Sequence, residues 1–334
     1  MTLCETIEDI RSRQTLPDLE RYESLLETGI FFLEQESPGI RPSDSTGRSG
    51  GLVHLKKGIP TVIIPDLHGR KNFFARALNA NLLPQGSVLL QRSVLDCLKE
   101  NSIQVLCLGD GFHTEYKTRQ RWLEAFEEYR GGFKKHDAMD DEMKDSLSLM
   151  EMVLACKTTY PENFHFLKGN HENILNEEGN GNHAFMKAAY EGEMVRSWTE
   201  KFYGDAFLNR FAHFEKCLPL FATGDRFLAS HAEPAMAYDA ESIIDARANP
   251  EITLGLTWTA NGAAEEGSVE SILEAFLPGD SEAVYLGGHR PVEGRFAYRA
   301  NKRFIQIHNP EKEILALAIP GKAFDPETDI LELE

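Results

Sequence analysis

Cysteine is scarce and scattered. The chain of 334 residues has five, Cys4, Cys97, Cys107, Cys156 and Cys217, and no two form a C-x-x-C pair. That pattern predicts neither a disulfide frame nor a thiolate zinc site, and it points to a reducing compartment. Cys107 and Cys156 lie in apolar runs and read as buried thiols. Long apolar runs are missing too, since none reaches the ~18 residues that a membrane span needs. The N-terminus, M-T-L-C-E-T-I-E-D-I, lacks the basic and apolar regions of a secretory signal. A cytoplasmic protein with no membrane partner is the expectation. Positive charge is short as well. Lys and Arg number 35 against 53 Asp and Glu, for a net charge of -18. Nucleic acid is therefore not expected as a partner, because that affinity is largely neutralisation of phosphates by Lys and Arg. A small phosphorylated substrate, which needs only a few local cations, is not excluded. There is no internal repeat.

Apolar material is ample, at 42% of the chain, enough for one large domain or two modest ones. Its arrangement is what carries chemistry. T-V-I-I-P runs into Asp66-Leu67-His68-Gly69, and Q-V-L-C-L-G runs into Asp110. F-H-F-L-K-G runs into Asn170-His171-Glu172. R-F-L-A-S runs into His231, and A-V-Y-L-G-G into His289. Each run reads as a buried strand, and ligand sites in open α/β sheets lie beyond the carboxyl ends of strands. One Asp or His after a strand is usually a turn former. Five in series point to a site.

Asp66, His68, Asp110, Asn170, His231 and His289 offer oxygen and imidazole donors and no thiolate. That mixture suits Mn²⁺, Fe or Zn²⁺ better than Ca²⁺ or Mg²⁺. Six ligands are too many for one catalytic ion with an open position. They suit two ions sharing a carboxylate, with Asp110 as the natural bridge. Two such ions, ~3.5–4 Å apart, would clamp both oxygens of an in-line phosphoryl displacement and activate a water between them. His171, beside a ligand and itself free, is the candidate general acid. His54, His136, His165, His183, His213 and His308 lack this context and read as surface or core residues.

The elements read in order as follows. Leu19, Tyr22, Leu26, Ile30 and Leu33 form one helical stripe, with a start signal at Thr15, Pro17 and Asp18. Residues 1–51 thus read as a helical extension packed on the main domain, or alternatively a regulatory arm. The extension ends in a Pro/Ser/Gly-rich linker or mobile loop from Glu36 to Gly51. A hairpin is expected from Leu52 into the strand ending at Ile64. Helices are expected around Phe73–Leu78, Ser93–Lys99 and Lys117–Tyr129, and along the Met143, Leu147, Met150, Leu154 stripe. The acidic run His136–Asp145 reads as a solvated loop and helix start. Residues 173–216 read as mostly helical, Leu218–Ala229 as a hairpin, and Val269–Phe276 as a helix. From Ala283 onward the chain is strand-rich, ending in an acidic tail at 321–334. Alternating strands and helices, giving way to strands near 218, predict an α/β layered fold with two half-sheets facing each other. Residues 52–320 would form the catalytic domain.

Tyr160–Glu172, Y-P-E-N-F-H-F-L-K-G-N-H-E, and Cys217–Pro234, C-L-P-L-F-A-T-G-D-R-F-L-A-S-H-A-E-P, carry a resemblance. They look like the calcineurin-like metallophosphoesterases, and within them the serine/threonine phosphoprotein phosphatases. Leu256-Thr257-Trp258-Thr259 is a weaker echo of the same family. The resemblance spans roughly residues 59 to 310. It implies a central β-sandwich flanked by helices, of α+β four-layer type, with a dinuclear centre at the strand ends. In it Asp66 and His68 would bind the first metal, Asp110 would bridge, Asn170, His231 and His289 would bind the second, and His171 would be the acid. Its activity would be phosphomonoester hydrolysis, with Mn and/or Fe as cofactors and a phosphorylated protein or small molecule as substrate.

Two positions depart from the family pattern Gly-Asp-x-x-Asp-Arg-Gly. The carboxylate that would orient the acid is His113, and the phosphate-holding arginine is Thr114. Support for His171 is then expected from His113 or Glu115, and a phosphate clamp from Arg70, Arg290 or Arg295, since guanidinium forks suit phosphate. A metal-binding scaffold with little activity is the reading of another class.

Overall fold

The runs T-V-I-I and Q-V-L-C show no polar alternation, as expected of strands covered on both faces. A computed structural model, which describes residues 1–82, 92–115 and 118–333, resolves how they are covered. The strands are β1 (Leu52–His54), β2 (Thr61–Ile64), β3 (Gln104–Cys107), β4 (Phe164–Phe166), β5 (Phe221–Thr223), β6 (Phe227–Ser230), β7 (Val284–Gly287), β8 (Ala297–Arg299), β9 (Phe304–Gln306), β10 (Ile314–Ala318) and β11 (Ile330–Glu332). They make two sheets, ordered β11-β10-β2-β3-β4 and β1-β5-β6-β7-β9-β8.

Alternate residues of each strand face opposite layers, as the two-residue period of a strand requires. Ile63 and Leu106 join Ala229, Leu286 and Ile305 in the core between the sheets. Val62, Ile64, Val105 and Cys107 face the other way, into a core built with α1 (Leu3–Ser12), α2 (Leu19–Glu34), α3 (Lys71–Asn79), α4 (Val94–Lys99), α5 (Arg119–Arg130), α6 (Asp137–Thr159), α7 (Glu191–Phe202) and α8 (Gly204–Cys217). Leu228, Tyr285 and Phe304 face α9 (Ala240–Ile244), α10 (Pro250–Thr257) and α11 (Ser268–Phe276) on the far side. The result is helices, sheet, sheet, helices. In each sheet three neighbouring strands are parallel, β2-β3-β4 and β6-β7-β9. Their carboxyl ends therefore meet at one rim of the sandwich.

The Leu19–Leu33 stripe is α2, capped by Asp18, whose side chain accepts from Arg21 N. The β5–β6 hairpin and the helix at 268–276 also stand where the sequence puts them. Several expectations need correction. Leu52–Ile64 is not a hairpin: β1 pairs in parallel with β5 in one sheet, and β2 lies in the other. Lys56-Lys57-Gly58 carries the chain across the sandwich, where the Lys56 N–H is caught by Gln104 Oε1. Residues 173–190 contain no helix, and the helical stretch starts at Glu191. The acidic run is the first two turns of α6, and its Glu142 is fully buried, accepting from Thr114 N and Arg121. The expected tail at 321–334 holds α12 (Pro326–Asp329) and the edge strand β11, because Ile330 is buried against the sheet. Lys117, the expected start of α5, lies outside the described residues.

The Glu36–Gly51 segment is pinned rather than mobile. Arg41 is 1% exposed and donates to Glu36, Gly50 O and Cys217 O. Lys157 of α6 reaches the same Glu36 carboxylate at 2.5 Å. Burial would raise Glu36, but Lys157, Arg41 and His165 outweigh it and hold the carboxyl below its ordinary value. Glu36→Gln leaves two buried cations without a counter-charge and should cost about 3–5 kcal/mol, read from urea denaturation midpoints. The Glu36 contribution is full above the ordinary carboxylate pKa and is lost as pH falls through its lower folded value. The gap between wild type and variant should therefore close in acid. A constant gap would show that the carboxylate charge is not what holds the segment.

Candidate metal centre

Backbone conformation marks the rim where the strands end. His68, Asp110, His113 and His289 have φ of 42°, 55°, 62° and 64°. The left-handed region is disfavoured for residues with a Cβ, and such strain gathers at functional sites. Glu172 holds part of this arrangement. Its carboxylate accepts the N–H groups of Asp110, Gly111 and Gly169 at 2.9, 2.7 and 2.6 Å. Glycine is required at two places: a Cβ on Gly288 would collide with Asp66 Oδ1, and one on Gly169 with Asp110 Oδ1.

Asp66 follows β2 and is fully buried. Its Oδ2 accepts from His289 N at 2.9 Å. His68 donates Nδ1–H to Phe112 O at 3.1 Å, which turns Nε2 inward. Asp110 follows β3. Its Oδ1 accepts from His171 N at 2.9 Å. Its Oδ2 faces the Nε2 atoms of His231, His68 and His171 at 3.3, 3.6 and 3.8 Å. His231 follows β6 and fixes its tautomer by donating Nδ1–H to Leu108 O at 2.9 Å. Asn170 Oδ1 lies 2.9 Å from His231 Nε2 and 2.8 Å from His289 Nδ1. All six candidate ligands thus gather around Asp110.

His308 joins them, although the sequence reads it as a surface or core residue. It follows β9 and is 1% exposed, with Nδ1 3.7 Å from Asp66 Oδ2 and Nε2 3.1 Å from Glu115 Oε2. The same strand-end rule would have found it, but Gln306 interrupts the apolar run and Asn309-Pro310 reads as a turn.

Metal ions fit these residues on two counts. Asp66 Oδ1, His289 Nε2 and His308 Nδ1 are buried ligand-type atoms with no hydrogen-bond partner. Three overlapping ligand sets lie here: Asp66, His68 and His308; His68, Asp110 and His171; Asp66, Asp110 and His231. The electrostatics agree. Burial would raise Asp110, but His171, His231 and His68 hold it well below the usual carboxylate range. Burial opposes charge on His231, yet Asp110 and Asp66 carry it up to about 9. The pocket thus draws in a cation, with imidazolium as the substitute. The buried His/Asp clusters fit a dinuclear divalent centre.

His171 has an unusual partner. Its Nδ1 is 2.8 Å from Nδ1 of His113. Burial, with His68 nearby, pushes His113 down to about 3, so that imidazole is neutral and able to accept. Glu115 does not support His171. It faces His68 and His308, and its other oxygen accepts from Lys187 at 2.7 Å. Phe185 packs on His171 with ring centroids 4.0 Å apart.

Two of the three candidate clamp arginines are committed elsewhere. Arg70 donates to the carbonyls of Asp66, Leu67, Asn309 and Lys312, fastening the β2 end to the loop after β9. Arg295 binds Glu327 and the carbonyl of Ile330, holding the C-terminal segment. Arg290 is exposed beside His289, with no side-chain hydrogen bond or ion pair among the described residues. Thr114 is held by Glu142 and Arg121, and Arg121 is taken up by Glu142 and Asp145.

A sandwich whose strand ends converge on buried imidazoles and carboxylates defines a metal-dependent phosphoester hydrolase. The calcineurin-like phosphoesterase family model matches residues 59–315, and the chain belongs to that family. No curated protein matches the sequence. A solved Saccharomyces cerevisiae protein serine/threonine phosphatase with similarity to human phosphatase PP5 is 12% identical, with a TM-score of 0.57 over 95% of this chain and 89% of that one. That likeness concerns the fold. A cold-active protein-tyrosine phosphatase of Shewanella sp. matches at 12% identity and TM-score 0.48, over 85% of this chain and 82% of that one. A putative diadenosine tetraphosphatase matches at 12% identity and TM-score 0.43, over 85% and 97%. Among the described residues no helix is long and apolar enough to cross a membrane.

His308→Ala removes one unpartnered ligand atom and should lower bound Mn²⁺ from about two ions per chain toward one, read by elemental analysis. Unchanged metal content would assign His308 to the Glu115 hydrogen bond alone. Glu172→Gln sets an amide N–H against backbone N–H groups and should cost about 3 kcal/mol or more, read from the thermal midpoint.

Proposed function

We propose that the chain hydrolyses phosphomonoesters at a dinuclear centre, with phosphoserine or phosphothreonine side chains as substrate. The observation that carries this reading is Asp110, whose Oδ2 faces three imidazole Nε2 atoms within 3.8 Å. Asp66, His68 and His308 would hold one ion, Asn170, His231 and His289 the other, and Asp110 both. The N/O donor set favours Mn or Fe, with Zn as the alternative. When bound, the ions supply Lewis acidity to the phosphoryl group and an activated water.

The chain's own groups do the rest. His171 keeps Nε2 toward the centre because Nδ1–H is donated to the neutral His113. Protonated, it is placed to give its Nε2 proton to the departing alkoxide. Phe185 roofs this imidazole and excludes water from one side. Among the described residues Arg290 is the uncommitted candidate cation near the rim that would meet phosphate, since Lys187 is paired with Glu115. The five free cysteines are consistent with a reducing, cytoplasmic setting.

A second reading, a small phosphorylated metabolite or nucleotide, is favoured by one feature. The cleft beside His113 has a volume of about 360 Å³ and is walled by Trp122, Phe185, Pro291 and Pro310, which suits a single compact group.

Chelated protein should regain hydrolysis of p-nitrophenyl phosphate when Mn²⁺ or Fe²⁺ is restored, and should prefer it to the bis ester. Phosphopeptides and nucleotides then separate the two substrates. Asp110→Asn should abolish turnover and lower metal content. His171→Ala should lose ~10²–10⁴-fold in kcat with metal retained. Full activity in Asp110→Asn would end the two-ion reading, and loss of metal in His171→Ala would make that residue a ligand.

A further inference from the structure

A second group of ligand-type side chains lies where α2 and α8 end together. Glu34 is the last residue of α2, and His213 and Cys217 stand one turn apart on α8, so both project from one face of that helix. His213 Nε2 is 2.9 Å from Glu34 Oε1, and Cys217 Sγ is 3.8 Å from each of those atoms. A tetrahedral zinc ion, with bonds of about 2.3 Å to sulfur and about 2.0–2.1 Å to nitrogen and oxygen, spaces its ligand atoms about 3.3–3.6 Å apart. The triangle needs adjustment of only about half an ångström to meet that spacing. Glu34 and His213 can provide it, since their side chains are 44% and 53% exposed.

The bland reading is an exposed His–Glu pair with a thiol nearby. Such a pair is worth little, and the thiol adds only a weak sulfur contact at 3.8 Å to it. Cys217 is buried. It is therefore not a reactive surface nucleophile. Imidazole, carboxylate and thiol converging on one point are instead the donor set of a borderline-soft dication.

We propose that Glu34, His213 and Cys217 form a separate three-ligand metal site of zinc type, with water in the fourth position. On binding, the thiol proton leaves to solvent, a metal–sulfur bond forms, and no electron moves. All three residues line an open cleft of about 580 Å³, and Lys168, Glu172 and Asn173 line it too. The ion would thus staple the N-terminal helices to α8 beside the loop that presents Asn170 and His171. The strand-end centre contains no sulfur, so a thiolate signal distinguishes the two sites whatever becomes of the proposed phosphatase.

The test is anaerobic titration of the full chain with Co²⁺, followed by optical absorption. Wild type and Asp110→Asn should both develop a thiolate-to-cobalt charge-transfer band in the near ultraviolet, saturating at one site per chain and bleached by Zn²⁺. Cys217→Ser should lack the band, with its fold checked by circular dichroism. His213→Ala, at an exposed position and with its fold checked in the same way, should weaken the chromophoric site by about tenfold or more. Absence of the band in wild type, its persistence in Cys217→Ser, its loss in Asp110→Asn, or unchanged affinity in His213→Ala would each overturn the proposal.

Discussion

Buried negative charge at the rim of the sandwich is the constraint on which the rest depends. Asp66, Asp110 and Glu172 are each within 1% of fully buried, and isolated carboxylates in such a place are costly. The fold answers in two ways. Glu172 accepts three backbone N–H groups, which fixes the loops after β3 and β4 against each other. Asp66 and Asp110 keep oxygens turned toward imidazoles, and so the site retains a standing demand for cations. The left-handed residues, the close glycines and the carbonyl-bound histidines all serve to hold those oxygens in place. Stability and chemistry share one set of atoms here.

Much of this was legible in the sequence because it rests on local order. An apolar strand ending in Asp or His needs no knowledge of distant residues, and five such ends named six residues that meet around Asp110. What failed was what depends on partners far along the chain. Leu52–Ile64 has the turn chemistry of a hairpin, yet β1 finds β5 some 170 residues away in another sheet. Arg70 and Arg295 stand next to ligand motifs, but carbonyls and a carboxylate of later segments had already claimed them. Glu36–Gly51 has loop composition, and only the meeting of Glu36 with Lys157 shows why it is fixed. His308 was missed for a local reason: one polar residue inside β9 broke the apolar signal.

The replacement of a carboxylate by His113 changes the kind of support that the proposed acid receives. A carboxylate would hold the imidazolium form and raise its pKa. A neutral imidazole holds the tautomer and leaves the charge uncompensated, and burial then depresses His171 well below its ordinary value. Orientation is preserved at the expense of basicity, a different balance from the one that the family pattern encodes.

The sheet that delivers Asp66 is completed last. β2 is flanked by β3 on one side and by β10 on the other, and β10 in turn by β11, the final strand of the chain. During synthesis the β2 edge must wait, with its N–H and C=O groups unpaired, until the distant β10 has been made. An open strand edge is a template for pairing with other chains, and nascent intermediates of this kind are the ones prone to aggregate. The strand that carries Asp66 to the rim therefore gains its second neighbour only after β10 has emerged, and a chain cut off before Ile314 would leave that edge bare.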